Sequence, residues 1–221
     1  YNDIDLACRK LIFGNNKVCG LTAPEYAVAA AASGARFGGL IFAEKSPRAV
    51  TKAQAIEVVN STTCLDYVGV FVNHQINEIV DLVKSLNLVA VQLHGSEDEA
   101  YVTQLKELLN ENNCDHCDLW QAKPVLTNVP ELSPQVNHHV LDGKSPGSGE
   151  AFDWQILSTS EQDLSTSFLA GGLNNDNIQL ALEQLTQLDL FGLDLNSGVE
   201  TSPGIKSSEK LSQVFAQIRN Y

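Results

Sequence analysis

Two residues of this chain stand where an acid–base pair would work. In NKVCGLT (residues 16–22) a short apolar run ends on Cys19, with a glycine and Thr22 after it. A thiol packed inside a core is a small hydrophobe, whereas a thiolate at an accessible strand end is a base or nucleophile. In VLDGKSPGSGEAFDW (140–154) Val140 and Leu141 close a strand, and Asp142 precedes a Gly/Ser loop. A carboxyl group there either turns the loop or, facing a pocket, acts as general acid or base. Arg48, in KSPRAV, is either an exposed loop residue or a donor of two parallel hydrogen bonds to a carboxylate. His94 ends VQLHG and is either a capping or buried ring or part of a site. In SFLAGGLNNDNIQLAL (167–182) a strand runs into Gly171-Gly172, with a helix beginning near Asp176. Such glycines let backbone approach a ligand, and the helix start presents unpaired N–H groups. LDLNSGVETSPG (193–204) is a second polar, glycine-containing loop.

The elements that would position these residues recur at a steady interval. Strand candidates are 17–21, 37–42, 67–71, 89–94, 118–123, 138–142, 167–172 and 190–195, eight in all. Their starts lie roughly 25 residues apart, the length of a strand, a helix and two loops. Residues 75–86 carry Ile76, Ile79, Val80, Val83 and Leu86, a helical stripe. Residues 97–110 carry Val102, Leu105, Leu108 and Leu109, and 208–219 carry Leu211, Val214, Phe215 and Ile218. TAPE (22–25), TKAQ (51–54) and SEDE (96–99) fit the capping-box pattern at helix starts. The fifth interval, PVLTNVPELSPQV (124–136), holds three prolines, so its helix is expected to be missing or reduced to a turn. Alternation of strand and helix implies a parallel sheet, and eight repeats imply α/β architecture as a single (β/α)8 TIM barrel, ahead of a five- or six-stranded doubly wound sheet. In such a barrel the site gathers at the C-terminal strand ends, where Cys19 and Asp142 fall, and the seventh and eighth loops often hold phosphate.

Composition narrows the function. With 221 residues, a sizeable core needs no staples. The net charge of −13 argues against nucleic acid but leaves a small phosphorylated ligand open, since backbone N–H groups can hold a phosphate. No apolar run is long enough to span a membrane. The five cysteines, Cys8, Cys19, Cys64, Cys114 and Cys117, are odd in number and scattered, which reads as a reducing, cytoplasmic setting. CDHC (114–117) is half a zinc site with no second pair of ligands, so no metal is expected. The chain begins at Tyr1 and contains no methionine, which suggests a piece of a longer protein.

KVCGLT, GGLIFAEKSPRAV, YVGVFVN, AVQLHG, VLD…GSGEAFDW, LAGGLN and GLDLNSGVE…PGIK occur here in that order. Together they resemble the phosphoribosylanthranilate isomerase family of tryptophan biosynthesis, over residues 16–221. The resemblance implies a (β/α)8 barrel with a reduced fifth helix and an Amadori rearrangement that uses no cofactor. N-(5-phosphoribosyl)anthranilate would become 1-(o-carboxyphenylamino)-1-deoxyribulose 5-phosphate. It further implies Asp142 as the acid that protonates the ring oxygen and Cys19 as the base that removes the C2 proton. Arg48 would take the anthranilate carboxylate, and Gly171, Gly172, Ser197 and Gly198 the phosphate, with His94 and Asp194 supporting the site. These roles require a pocket that favours the Cys19 thiolate and a burial that keeps Asp142 protonated. Lys144 and Pro146 in the sixth loop, and Asn196 where some relatives carry Ser, depart from the family pattern. Residues 1–15 resemble the tail that joins this domain to indole-glycerol-phosphate synthase in a fused bacterial enzyme. Two alternatives stay open: another sugar-phosphate barrel, such as that synthase or a pentose-phosphate epimerase, and a silent barrel that stabilises a fused partner.

Overall fold

The structure, a computed structural model, describes residues 14–143 and 153–221. The expectations for residues 1–13, Lys144 and Pro146 lie outside the described residues. Eight parallel strands close into a barrel in sequence order. They are β1 Lys17–Val18, β2 Phe37–Ile41, β3 Asp66–Phe71, β4 Ala90–Leu93, β5 Asp118–Pro124, β6 His138–Asp142, β7 Ser167–Leu169 and β8 Gly192–Leu195. Closure is made by β1 pairing β8, with Lys17 opposite Asp194 and Val18 opposite Leu195. The doubly wound alternative, which would leave open edges, is excluded.

Among the described residues six α-helices cover the barrel: α1 Pro24–Ser33, α2 Lys52–Ser61, α3 Ile76–Leu86, α4 Glu99–Glu111, α5 Ile178–Gln187 and α6 Ser208–Asn220. Their apolar stripes face inward as the periodicity requires. Ile79, Val80, Val83 and Leu86 of α3 are buried, as are Leu211, Val214, Phe215 and Ile218 of α6, while Ile76 and Leu108 are half-buried. No helix forms between β5 and β6, as the prolines dictate, and a 3-10 turn at Trp154–Thr159 precedes β7.

Of the three expected capping boxes, only Thr51/Gln54 forms, with both reciprocal bonds present. Thr22 instead donates its hydroxyl to the Gly204 carbonyl at 2.6 Å, and α1 starts from Ala23 with no side-chain cap. Ser96 turns to Asn73, and Asp98 caps α4 by accepting from the Tyr101 N–H at 2.8 Å. Long-range partners outcompeted the local ones at both positions. Asn15, read as tail, is held to the barrel floor, where its side chain donates to the Phe191 carbonyl at 3.2 Å.

Inside the barrel, side chains alternate in layers. The lower layer is aromatic and aliphatic: Phe37, Val68, Ala90, Trp120, Val140 and Phe168, with Trp120 and Phe168 at 4.7 Å between ring centres. This plug closes the lower part of the barrel and leaves the C-terminal ends open. Cys114 and Cys117 are buried in the apolar core, and burial pushes the Cys117 thiol to about 12. Among the described residues no group of three His, Cys, Asp or Glu is placed to hold a metal ion. No helix of the described residues is long and apolar enough to cross a membrane.

Candidate active site

Above the aromatic layer the strand ends enclose a cavity of about 470 Å³. Cys19, Gln92, His94, Asp142, Gly171, Gly172, Asp194 and Ser197 all line it, as does Arg48 from the loop after β2. Six of the eight strands thus deliver expected site residues to one space, because inward positions at strand tops converge. Gly198 is the exception. It lies in the short 3-10 turn Ser197–Val199, where a Cβ would stand 1.9 Å from the Leu173 carbonyl oxygen, so it packs the eighth loop against the seventh.

Cys19 follows β1 and is 5% exposed, yet its side chain borders the cavity. Gly39 on β2 makes the room: a Cβ there would meet Cys19 Sγ at 2.8 Å and Lys17 Cε at 3.1 Å. Lys17, two residues earlier, points to the same side of the strand. It is fully buried and donates to Asp194 Oδ2 at 2.7 Å. Burial works against its charge, but Asp194 and Cys19 outweigh burial and hold Lys17 above the usual lysine range. For Cys19 the balance goes the other way. Burial pushes the thiol above its usual range, with Lys17 the largest opposing influence. The expectation that the surroundings would favour the thiolate is therefore corrected: desolvation dominates.

Asp142 meets the opposite expectation in direction. Burial raises its carboxyl from 3.8 to about 6, the Gly143 N–H that donates to Oδ1 at 2.7 Å notwithstanding. His94 Nε2 stands 4.0 Å from Asp142 Oδ2, while its Nδ1 contacts Gln92 Nε2 at 3.3 Å. Burial pushes His94 down, so the ring is neutral at pH 7. With Gln92 donating to Nδ1, the ring proton sits on Nε2, toward the carboxylate.

Arg48 departs from its expected role in one respect. Its Nε and Nη2 already make the two-pronged pair, to Glu200 at 2.8–3.2 Å. Nη1 donates to no described residue. Glu200 also accepts from Lys206 Nζ at 2.7 Å, and Lys206 reaches the Asn196 carbonyl at 3.1 Å and its side-chain oxygen at 2.9 Å. A hairpin after β8, β9 Glu200–Ser202 and β10 Ile205–Lys206, presents both residues. Lys17, Arg48 and Lys206 thus face Asp194 and Glu200 in this buried region, three cations against two carboxylates. This gathers three cations beside one cavity in a chain of net charge −13, and Arg48 Nη1 remains available to an anionic ligand. On the far wall, Gly171 and Gly172 take left-handed φ of 84° and 67°. The Gly172 carbonyl is held by Asn174 and Asn177 side chains at 3.0 and 2.9 Å, and no described group accepts from the two glycine N–H groups. Paired free N–H groups of this kind form an anion cradle.

Sequence reasoning missed Lys17, Gln92, Glu200 and Lys206. A signal existed for the first: a lysine inside an apolar strand, two residues before the cysteine, must point where the cysteine points.

The family model of N-(5'-phosphoribosyl)anthranilate (PRA) isomerase matches residues 16–217. The chain belongs to this family. Tryptophan biosynthesis protein TrpCF of Vibrio cholerae is 46% identical over the whole chain, which covers 45% of that protein. TrpCF of Salmonella typhi is 44% identical, with 47% of its length covered. The chain spans about half the length of the curated relatives it matches. Among solved structures, phosphoribosyl anthranilate isomerase from Thermus thermophilus superposes with a TM-score of 0.76 at 30% identity, covering 93% of this chain and 98% of that one. An isomerase of the family in complex with reduced 1-(o-carboxyphenylamino)-1-deoxyribulose 5-phosphate gives 0.71 at 26% identity, covering 94% and 100%. Membership in this isomerase family sets aside the synthase and epimerase alternatives.

Proposed function

We propose that this barrel converts N-(5-phosphoribosyl)anthranilate to 1-(o-carboxyphenylamino)-1-deoxyribulose 5-phosphate, a step of tryptophan biosynthesis, by acid–base catalysis. The observation that carries the reading is that a cysteine and a carboxyl group of raised proton affinity face one cavity that Arg48 also lines. The ligand has two anionic ends, and the cavity offers two places for them. Arg48 Nη1 receives the anthranilate carboxylate, with Glu200 fixing the plane of the guanidinium. The phosphate lies against Gly171, Gly172 and Ser197, and Gly198 sets the distance between those two loops.

Asp142 donates its proton to the furanose oxygen. The C1–O bond breaks, and the nitrogen lone pair forms a C=N bond, giving an iminium ion. Cys19 as thiolate then takes the C2 proton, and the C–H electrons form C1=C2 as the iminium electrons return to nitrogen. The enolamine tautomerises to the ketone. With a carboxyl at about 6, roughly one-tenth of Asp142 is protonated at pH 7, far more than an ordinary aspartate would be. His94 donates to the Asp142 carboxylate once the proton has left.

The double length of the relatives supports a longer polypeptide in which this barrel is fused to indole-glycerol-phosphate synthase. A cytoplasmic setting suits free thiols at Cys19, Cys64, Cys114 and Cys117.

The test is the loss of anthranilate-adduct fluorescence with freshly generated N-(5-phosphoribosyl)anthranilate. Wild type turns over, and Cys19→Ser and Asp142→Asn each fall at least ~100-fold. A folded wild type without turnover rejects the reading.

A further inference from the structure

The buried ion pair at the junction of β1 and β8 has a direction. Its positive end, Lys17, is on the strand that leads to Cys19, and both side chains crowd the space left by Gly39. Its negative end, Asp194, is on β8, which only β7 separates from β6 and Asp142. Asp194 Oδ1 is buried with no hydrogen-bond partner among the described residues, so the second oxygen is left to act through its charge. The charged groups that face Cys19 are Lys17 from β1, Asp194 from β8, Lys206 from β10 and Arg48 from the loop after β2. Those that face Asp142 are Asp194 and Lys17, with neutral His94 beside it.

We propose that the Lys17–Asp194 pair tunes the two catalytic groups in opposite senses: Lys17 is the counter-cation of the Cys19 thiolate, and Asp194 is the charge that keeps a proton on Asp142. Both are positioning residues, and the inference rests on the acid–base reading above. The influence of each charge follows this geometry. At Cys19 Lys17 outweighs Asp194, and at Asp142 Asp194 outweighs Lys17.

The pair matters because the reaction needs an uncommon combination, a thiolate and a carboxylic acid in the same molecule. Burial pushes the thiol above its usual range and raises the carboxyl to about 6. The base therefore holds its proton more tightly than the acid does, the reactive combination is a minor form, and each unit by which the gap widens removes about a factor of ten of it. A device that narrows the gap from both sides therefore raises kcat/KM directly, with no contact to the ligand.

The experiment measures Cys19 apart from catalysis. Folded wild type, Lys17→Met and Lys17→Met/Asp194→Asn are alkylated with iodoacetamide across pH 6–10, and peptide mass spectrometry follows Cys19 alone. The double variant leaves no unpaired charge and serves if Lys17→Met does not fold. The Cys19 midpoint moves up in both variants, with a rate at pH 8 about tenfold lower or more. In turnover of the double variant the kcat/KM plateau falls while both of its limbs move outward, and in Lys17→Met alone the basic limb moves up while the acid limb does not move down, a pattern that a merely structural defect would not produce. An unchanged or lowered Cys19 midpoint overturns the proposal. A raised midpoint in a protein whose wild type does not isomerise upholds Lys17 as the thiolate's counter-cation and rejects only the functional reading beneath it.

Discussion

Asp142→Asn is expected to make this barrel more stable at neutral pH while it stops the chemistry. The carboxyl binds its proton more tightly in the folded chain than in the unfolded one, because burial raises it from 3.8 to about 6. A raised folded value means that the group's favourable contribution is complete below pH ~4 and is lost as pH climbs through ~6. Above pH 7 the folded state therefore bears the full penalty of an ionised buried carboxylate. At 1.36 kcal/mol per unit, roughly two units amount to about 3 kcal/mol. Asparagine is neutral throughout and keeps an oxygen for the Gly143 N–H, bonded at 2.7 Å in the wild type. The assay is denaturant and thermal unfolding of both proteins at pH 4, 5, 6, 7 and 8. They should unfold alike at pH 4, and the variant should lead by up to about 3 kcal/mol at pH 7–8, about 6–12 °C for a chain of this size. A difference that stays flat from pH 4 to pH 8 would refute the reasoning, since a steric or packing change carries no such titration.

Three other perturbations bear on the site and its frame. Glu200→Gln leaves Arg48 and Lys206 without their shared carboxylate, so urea unfolding should show a loss of about 3–5 kcal/mol, and in folded protein KM should rise more than kcat falls. Gly39→Ala puts a methyl group 2.8 Å from Cys19 Sγ and 2.9 Å from its Cα, so turnover should fall at least ~10-fold while far-UV circular dichroism stays native. Thr51→Ala removes the one capping box that forms, at an expected loss of about 1 kcal/mol in urea unfolding with kcat/KM unchanged.

Much of the frame was legible because its signals are local. Strand ends, helix stripes and the proline-broken fifth interval depend on neighbours within a few residues, and β6 spans His138–Asp142 as the pattern indicates. Cys19, Asp142 and the Gly171-Gly172 turn could be placed at one end of the barrel once eight repeats had been counted, because parallel closure sends every strand end to the same face. Where a local signal met a distant competitor, the distant one decided: Thr22 reached Gly204 and Ser96 reached Asn73 rather than their own helices.

The sequence by itself determined the barrel, the family and the identity of the acid and base candidates. Tertiary structure alone decided their electrostatics. Lys17 meets Asp194 across 177 residues, and Arg48 meets Glu200 across 152. The proton affinities of Cys19 and Asp142 follow from burial and from those partners, and neither exists until the chain closes β1 onto β8 and folds its last hairpin over the second loop. Charge interactions depend on distance and dielectric, which no pattern of neighbours along the chain encodes.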